Sequence, residues 1–210
     1  MRYNYIAVEG NIGVGKTTLA CKIAHQFNGK LILEQFEGNP FLVKFYQNQE
    51  KYAFPLELSF LAERYQQLKR ELANQDLFTN FTISDYFINK SLIFARKTLN
   101  PDEYQLFLTL FNIMNANLPR PDLLVHLFVQ TPRLQKNIKA RGREYEQQIP
   151  DEYLDKIQES YLDNLKQQPQ LRILMLDINN LDFVSSLADF NKIVDVIDRD
   201  YPKGITLIEM

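Results

Sequence analysis

The stretch Gly10-Asn11-Ile12-Gly13-Val14-Gly15-Lys16-Thr17 constrains this chain more than any other. It fits G-x-x-x-x-G-K-[ST] without a mismatch, with an apolar run before it, Tyr3 to Glu9, and a helical pattern after it, Lys16 to Phe27. Glycines allow successive backbone N–H groups to turn inward around an anion, and the following helix adds the positive end of its dipole. Such a loop holds the phosphates of a nucleotide. Lys16 is placed to reach the β- and γ-phosphates, and the Thr17 hydroxyl to ligate Mg²⁺. The expected contacts run from Gly10 through Thr18. The acceptor stays open, because ATPases, GTPases and small-molecule kinases share the loop.

Short apolar runs at 3–9, 31–33, 81–84, 123–128 and 173–176 read as strands. Helical patterns fill the spaces between them, at 16–27, 40–46, 54–72, 85–96, 101–117, 132–140, 150–167 and 183–198. This alternation predicts an α/β fold, a five-stranded parallel sheet with helices on both faces, in a single domain over 1–210. A charged segment at about 141–150 reads as a short arginine-rich lid. The tail after Tyr201 is either an edge strand or disordered.

The net charge is −2, without the basic excess of a nucleic-acid-binding surface. Cys21 stands alone, so no internal disulfide framework exists, and its place in a helical pattern suits a buried thiol. No apolar run approaches the roughly 18 residues of a membrane span. The N-terminus shows no signal-peptide pattern, and the expected compartment is the cytoplasm.

Five segments, in order over residues 3 to 198, resemble the deoxynucleoside kinase family. The first is the glycine loop. The second is Leu33-Glu34-Gln35-Phe36, where the resemblance makes Glu34 the general base on the acceptor 5′-hydroxyl, Gln35 replacing the usual proline. Ligands of open parallel sheets sit at the carboxyl ends of strands, which agrees with that role. The third runs from Asn39 to Tyr46 and on to Pro55, with Tyr46 on the sugar 3′-hydroxyl. The fourth, Arg141-Gly142-Arg143-Glu144-Tyr145-Glu146 through Leu154, is similar to the family's lid. It implies that Arg141 and Arg143 close on the phosphates and that Glu146 accepts from the 3′-hydroxyl, while Tyr145 replaces a glutamate. The fifth, Asn179 to Phe183, places Asp182 and Phe183 at the donor base.

Two departures stand out. Where the family carries Glu-Arg-Ser, this chain has Ile83-Ser84-Asp85-Tyr86. Asp85 then serves as the metal-side carboxylate with Thr17, and the absent arginine needs a substitute, Lys90 or a lid arginine. Where the family has a base-reading glutamine, this chain has Glu57, with Arg64 and Lys90 expected beside the base. An ionised carboxylate only accepts hydrogen bonds, which suits the N1–H and N2 amine of guanine. The resemblance implies ATP or another nucleoside triphosphate as donor, Mg²⁺, a deoxynucleoside acceptor, preferably a purine, and a homodimer. A kinase of another small acceptor, such as a nucleoside monophosphate, and a nucleotide-binding subunit without turnover are the alternatives.

Overall fold

Tyr5–Gly10 (β1) is buried along its whole length, as a strand covered on both faces must be. It leads through the glycine loop into Lys16–Phe27 (α1), whose Leu19, Ala20, Ile23 and Ala24 line one buried face. The chain continues through Lys30–Ile32 (β2), Leu42–Gln47 (α2), Gln49–Ala73 (α3), Thr82–Ser84 (β3), Lys90–Thr98 (α4) and Pro101–Asn115 (α5). Leu123–Phe128 (β4), Thr131–Arg141 (α6), Asp151–Lys166 (α7), Arg172–Asp177 (β5), Leu187–Ile197 (α8) and Gly204–Glu209 (β6) follow. The computed structural model describes residues 1–35, 38–74 and 77–210, and only the backbone of Tyr46 and Tyr145. Phe36, at the end of the second segment above, lies outside the described residues.

The chain divides into two compact units. The first comprises Met1–Leu33, Asp76–Tyr86 and Arg120–Met210. It holds a parallel sheet in the order β2-β3-β1-β4-β5-β6. Helices α1, α6, α7 and α8 bury Leu19, Ile23, Leu134, Ile138, Leu154, Phe190 and Ile193 in the same core as Ile6, Val8, Val125 and Leu174. The sheet has six strands rather than the expected five. The tail is not disordered: β6 pairs with β5 from Arg172↔Gly204 to Asp177↔Glu209. Its odd positions Ile205 and Leu207 are exposed, so two of its three apolar side chains, with Ile208 the third, face water, the signature of an edge strand and the reason it read ambiguously.

The second unit comprises Glu34–Gln75 and Phe87–Pro119 and contains α2 to α5. Helix α3 starts at Gln49 rather than near Phe54, because the Asn48 side chain accepts from Lys51 N–H and caps it. Helix α4 begins at Lys90, not Asp85. Helix α5 opens with a capping box, Asn100 with Glu103, around Pro101.

Candidate active site

Within the first unit the loop between β1 and α1 turns on glycines. Gly10 has φ 143°, and a Cβ there would stand 2.5 Å from the Leu127 carbonyl oxygen. Gly13 has φ 81°, with the Leu134 carbonyl oxygen 2.9 Å from the corresponding point. Both positions exclude side chains. Lys16 Nζ donates to the carbonyls of Gly10 and Asn11, each at 2.9 Å. Thr17 Oγ1 donates to Asp85 Oδ2 at 2.6 Å, and Asp85 is buried. The two residues expected on the metal side are therefore in direct contact. A hydroxyl and a carboxylate are hard oxygen donors, and Mg²⁺ takes one or two such groups together with phosphate oxygens and waters, so this pair fits Mg²⁺.

In the same unit, Arg141 and Arg143, the arginines of the expected lid, meet Glu146. Arg141 Nη2 donates to Glu146 Oε2, and Arg143 Nη1 donates to Oε1 at 3.3 Å. Glu146 is buried, and Gly142, at φ 75°, ends α6 between the two arginines. In the β5–α8 connection, Asp182 accepts from the N–H groups of Val184 and Ser185, each at 3.2 Å. Phe183 is buried, its ring 2.8 Å from where a Gly15 Cβ would stand. Arg133 donates to the carbonyls of Ile178, Asn179 and Leu181, and Lys22 to those of Phe183 and Val184, so this turn is held by two cations.

Within the second unit, Glu34 follows β2 and carries two cations. Arg64 donates from Nε at 2.9 Å and from Nη2 at 2.7 Å to Oε1, and Lys90 Nζ donates to Oε2. Burial alone would raise the Glu34 carboxyl, but Lys90 and Arg64 overcome it and hold the group at about 2. Arg64 and Lys90, expected beside the acceptor base, both donate to Glu34, the expected catalytic carboxylate, and both also act electrostatically on Glu57. Lys90, at the start of α4, thus brings a second cation to Glu34 beside Arg64.

Glu57, on α3, is buried and accepts from Thr98 Oγ1 at 2.9 Å. Burial pushes its carboxyl up to about 7, against the opposing fields of Arg64 and Lys90 and the Thr98 hydrogen bond. Two residues that sequence reasoning missed support this cluster. Ser91 accepts from Arg64 Nη1 at 2.8 Å, and Thr98 holds Glu57. Both lie on α4, and a hydroxyl residue on a helix gives no signal of its partner until the helix is packed. The Tyr46 side chain lies outside the described atoms.

A family model, deoxynucleoside kinase, matches residues 6–201. The chain belongs to the deoxynucleoside kinase family. This deoxynucleoside kinase is thus a phosphotransferase acting on an alcohol group. It is 36% identical over 199 residues to a deoxyguanosine kinase of Bacillus subtilis, covering 90% of this chain and 93% of that one. It is 29% identical over 198 residues to a deoxyadenosine/deoxycytidine kinase of the same organism, covering 92% and 90%. The kinase shares its fold with deoxyadenosine kinase from M. mycoides, solved with dCMP and a flexible dCDP, at TM-score 0.78 and 24% identity over 92% of this chain and 98% of that one. No described helix of the kinase is long and apolar enough to cross a membrane.

Proposed function

We propose that this kinase transfers the γ-phosphate of ATP, or of another nucleoside triphosphate, to the 5′-hydroxyl of a purine deoxynucleoside, deoxyguanosine first. The observation that carries this reading is the carboxylate pair of the second unit. Glu34 is locked ionised by Arg64 and Lys90, while Glu57 is buried and held by one hydroxyl. The first suits a hydroxyl and the second a base edge.

The acceptor hydroxyl donates to Glu34. With a carboxyl near 2, Glu34 orients the attacking oxygen and takes its proton late, when the oxygen has become strongly acidic. That matches phosphoryl transfer through a loose transition state, in which positioning and charge neutralisation outweigh proton removal. Lys16 and the loop N–H groups bind the β- and γ-phosphates. Arg141 and Arg143 leave Glu146 and close on the transferring group. Thr17 and Asp85 would hold Mg²⁺, which when bound would offset the charge of the phosphates. Tyr46 and Glu146 bind the sugar 3′-hydroxyl, and Asp182 and Phe183 border the donor base. Ionised Glu57 accepts from N1–H and the N2 amine of guanine. The deoxyguanosine kinase relative supports that base, and the deoxyadenosine/deoxycytidine relative makes adenine the second reading, reached when Glu57 carries a proton. The expected homodimer follows from the resemblance alone, and the expected cytoplasmic location from the sequence reading.

The test is kcat/KM for the four deoxynucleosides with ATP and GTP as donors. Purines ahead of pyrimidines, with deoxyguanosine first above pH 7, is the expected order. A preference for thymidine or deoxycytidine would overturn it.

A further inference from the structure

While Lys16 takes the carbonyls of Gly10 and Asn11, the Gly13 carbonyl of the glycine loop is held by another element. Gly13 O accepts from Asn137 Nδ2 at 2.8 Å. Asn137 lies on α6, four residues before Arg141, so both side chains share one helix face a turn apart. The approach is close over the whole contact: a Gly13 Cβ would stand 2.8 Å from Ile138 Cγ1. Helix α7, on the other side of the lid, is fastened to the same loop. Asn11 Nδ2 donates to Leu154 O at 2.8 Å, while Asn11 Oδ1 accepts from Ile12 N–H at 2.8 Å. Tyr161 Oη donates to Glu9 Oε2 at 2.9 Å, and Glu9 also accepts from Gly10 N–H at 3.3 Å. Asn11, Glu9 and Tyr161 are all buried.

Both helices that bracket the lid are therefore hydrogen-bonded to the loop. We propose that Asn137 is a positioning residue for phosphoryl transfer: its bond to Gly13 sets the height and angle at which Arg141 and Arg143 stand over the phosphates. The Asn11–Leu154 and Glu9–Tyr161 bonds hold the second helix in the matching register. A lid fastened on one side only would still close, but its arginines would meet the transferring group off line, and small displacements of charged groups cost rate steeply. This inference rests on the reading of Arg141 and Arg143 as phosphate-binding residues, and the test separates the two.

The experiment is a double-mutant cycle on the full-length enzyme, with kcat, both KM values and thermal unfolding measured for each member. Asn137→Ala should lower kcat about fivefold, the worth of one hydrogen bond, and leave the acceptor KM within twofold. In the Arg141→Ala/Arg143→Ala background the same change should alter kcat by less than twofold, because the residues through which it acts are gone. A merely structural asparagine would lower kcat by the same factor in both backgrounds, and that result overturns the proposal. If the arginine variant alone retains wild-type kcat, the lid reading fails and the inference falls with it. Asn137→Asp, which is isosteric and opposes an acceptor to the Gly13 carbonyl, provides the same cycle should the alanine variant not fold. It should depress kcat at least as strongly.

Discussion

Glu34 has the hydrogen bonds of a group kept charged. A carboxyl at about 2 is ionised throughout the working range, so it cannot gain catalytic power from rising pH. Glu34→Gln should lower kcat about 100-fold or more with little change in acceptor KM, measured by steady-state kinetics, since general-base contributions run at about 10²–10⁴. Lys90→Ala removes one of the two cations and raises the Glu34 carboxyl, so the acidic limb of the kcat profile should move to higher pH. Glu57 behaves oppositely. Burial puts its carboxyl at about 7, so it is largely protonated at pH 6 and largely ionised at pH 8. Selection of deoxyguanosine over deoxyadenosine, read as a ratio of kcat/KM values, should increase across that interval in the wild type. In Glu57→Gln the ratio should be lower and flat with pH, because an amide does not titrate there. A ratio that changes alike in both proteins would free Glu57 from any role in base choice.

Helices and strands were legible where their signals are local. The glycine loop, α1 and the buried strands β1, β4 and β5 follow from periodicity and from glycine spacing, while Thr17 and Asp85 were expected on the metal side without their direct hydrogen bond being foreseen. Boundaries set by side-chain caps were less visible: Asn48 extends α3 by residues that look like a loop, and 85–89 reads as helical although α4 starts at Lys90. The destinations of Arg64 and Lys90 were not legible, because a helical residue can reach several partners and packing chooses among them. Two arginines flanking a glycine gave the expectation of a lid, but the pairing of both with Glu146 was not legible. That pairing has a kinetic consequence. The double replacement Arg141→Ala/Arg143→Ala should reduce kcat by at least 100-fold in single-turnover measurements and leave acceptor affinity nearly unchanged, since the arginines act on transition-state charge. Equal losses in kcat and in binding would reduce the lid to a surface loop.

Three buried groups among the described residues, His126, Glu34 and Glu57, titrate away from their ordinary values at or below about pH 7, and together they shape stability against pH in that range. His126, on β4, is lowered from 6.5 to about 3 by burial and then by Lys16, and its Nδ1 has no hydrogen-bond partner among the described residues. The unfolded chain binds a proton there before the folded one does, so stability falls as pH drops from about 6.5 toward 3. Glu34, lowered from 4.5 to about 2, adds a loss of the same sign below pH 4.5. Glu57 works the other way. Its folded value of about 7 exceeds the ordinary 4.5, so folding takes up a proton between those values and stability is lost as pH rises through them. From pH 4.5 to 6.5 the His126 and Glu57 contributions oppose each other, and stability should vary little. Below pH 4.5 His126 and Glu34 act together, and unfolding should be steep. Glu57→Gln isolates the third contribution. Relative to wild type, the variant should gain stability as pH rises from 5 to 8, because the wild type alone then buries a charge. The full difference is on the order of 3 kcal/mol by the size of the shift, equivalent to several degrees in the unfolding temperature of a protein this long. Thermal unfolding of both proteins at half-unit pH steps, without nucleotide, measures it. A difference in unfolding temperature that stays constant from pH 5 to 8 would mean that Glu57 is charged at every pH in that range and that its burial is offset by Arg64 and Lys90.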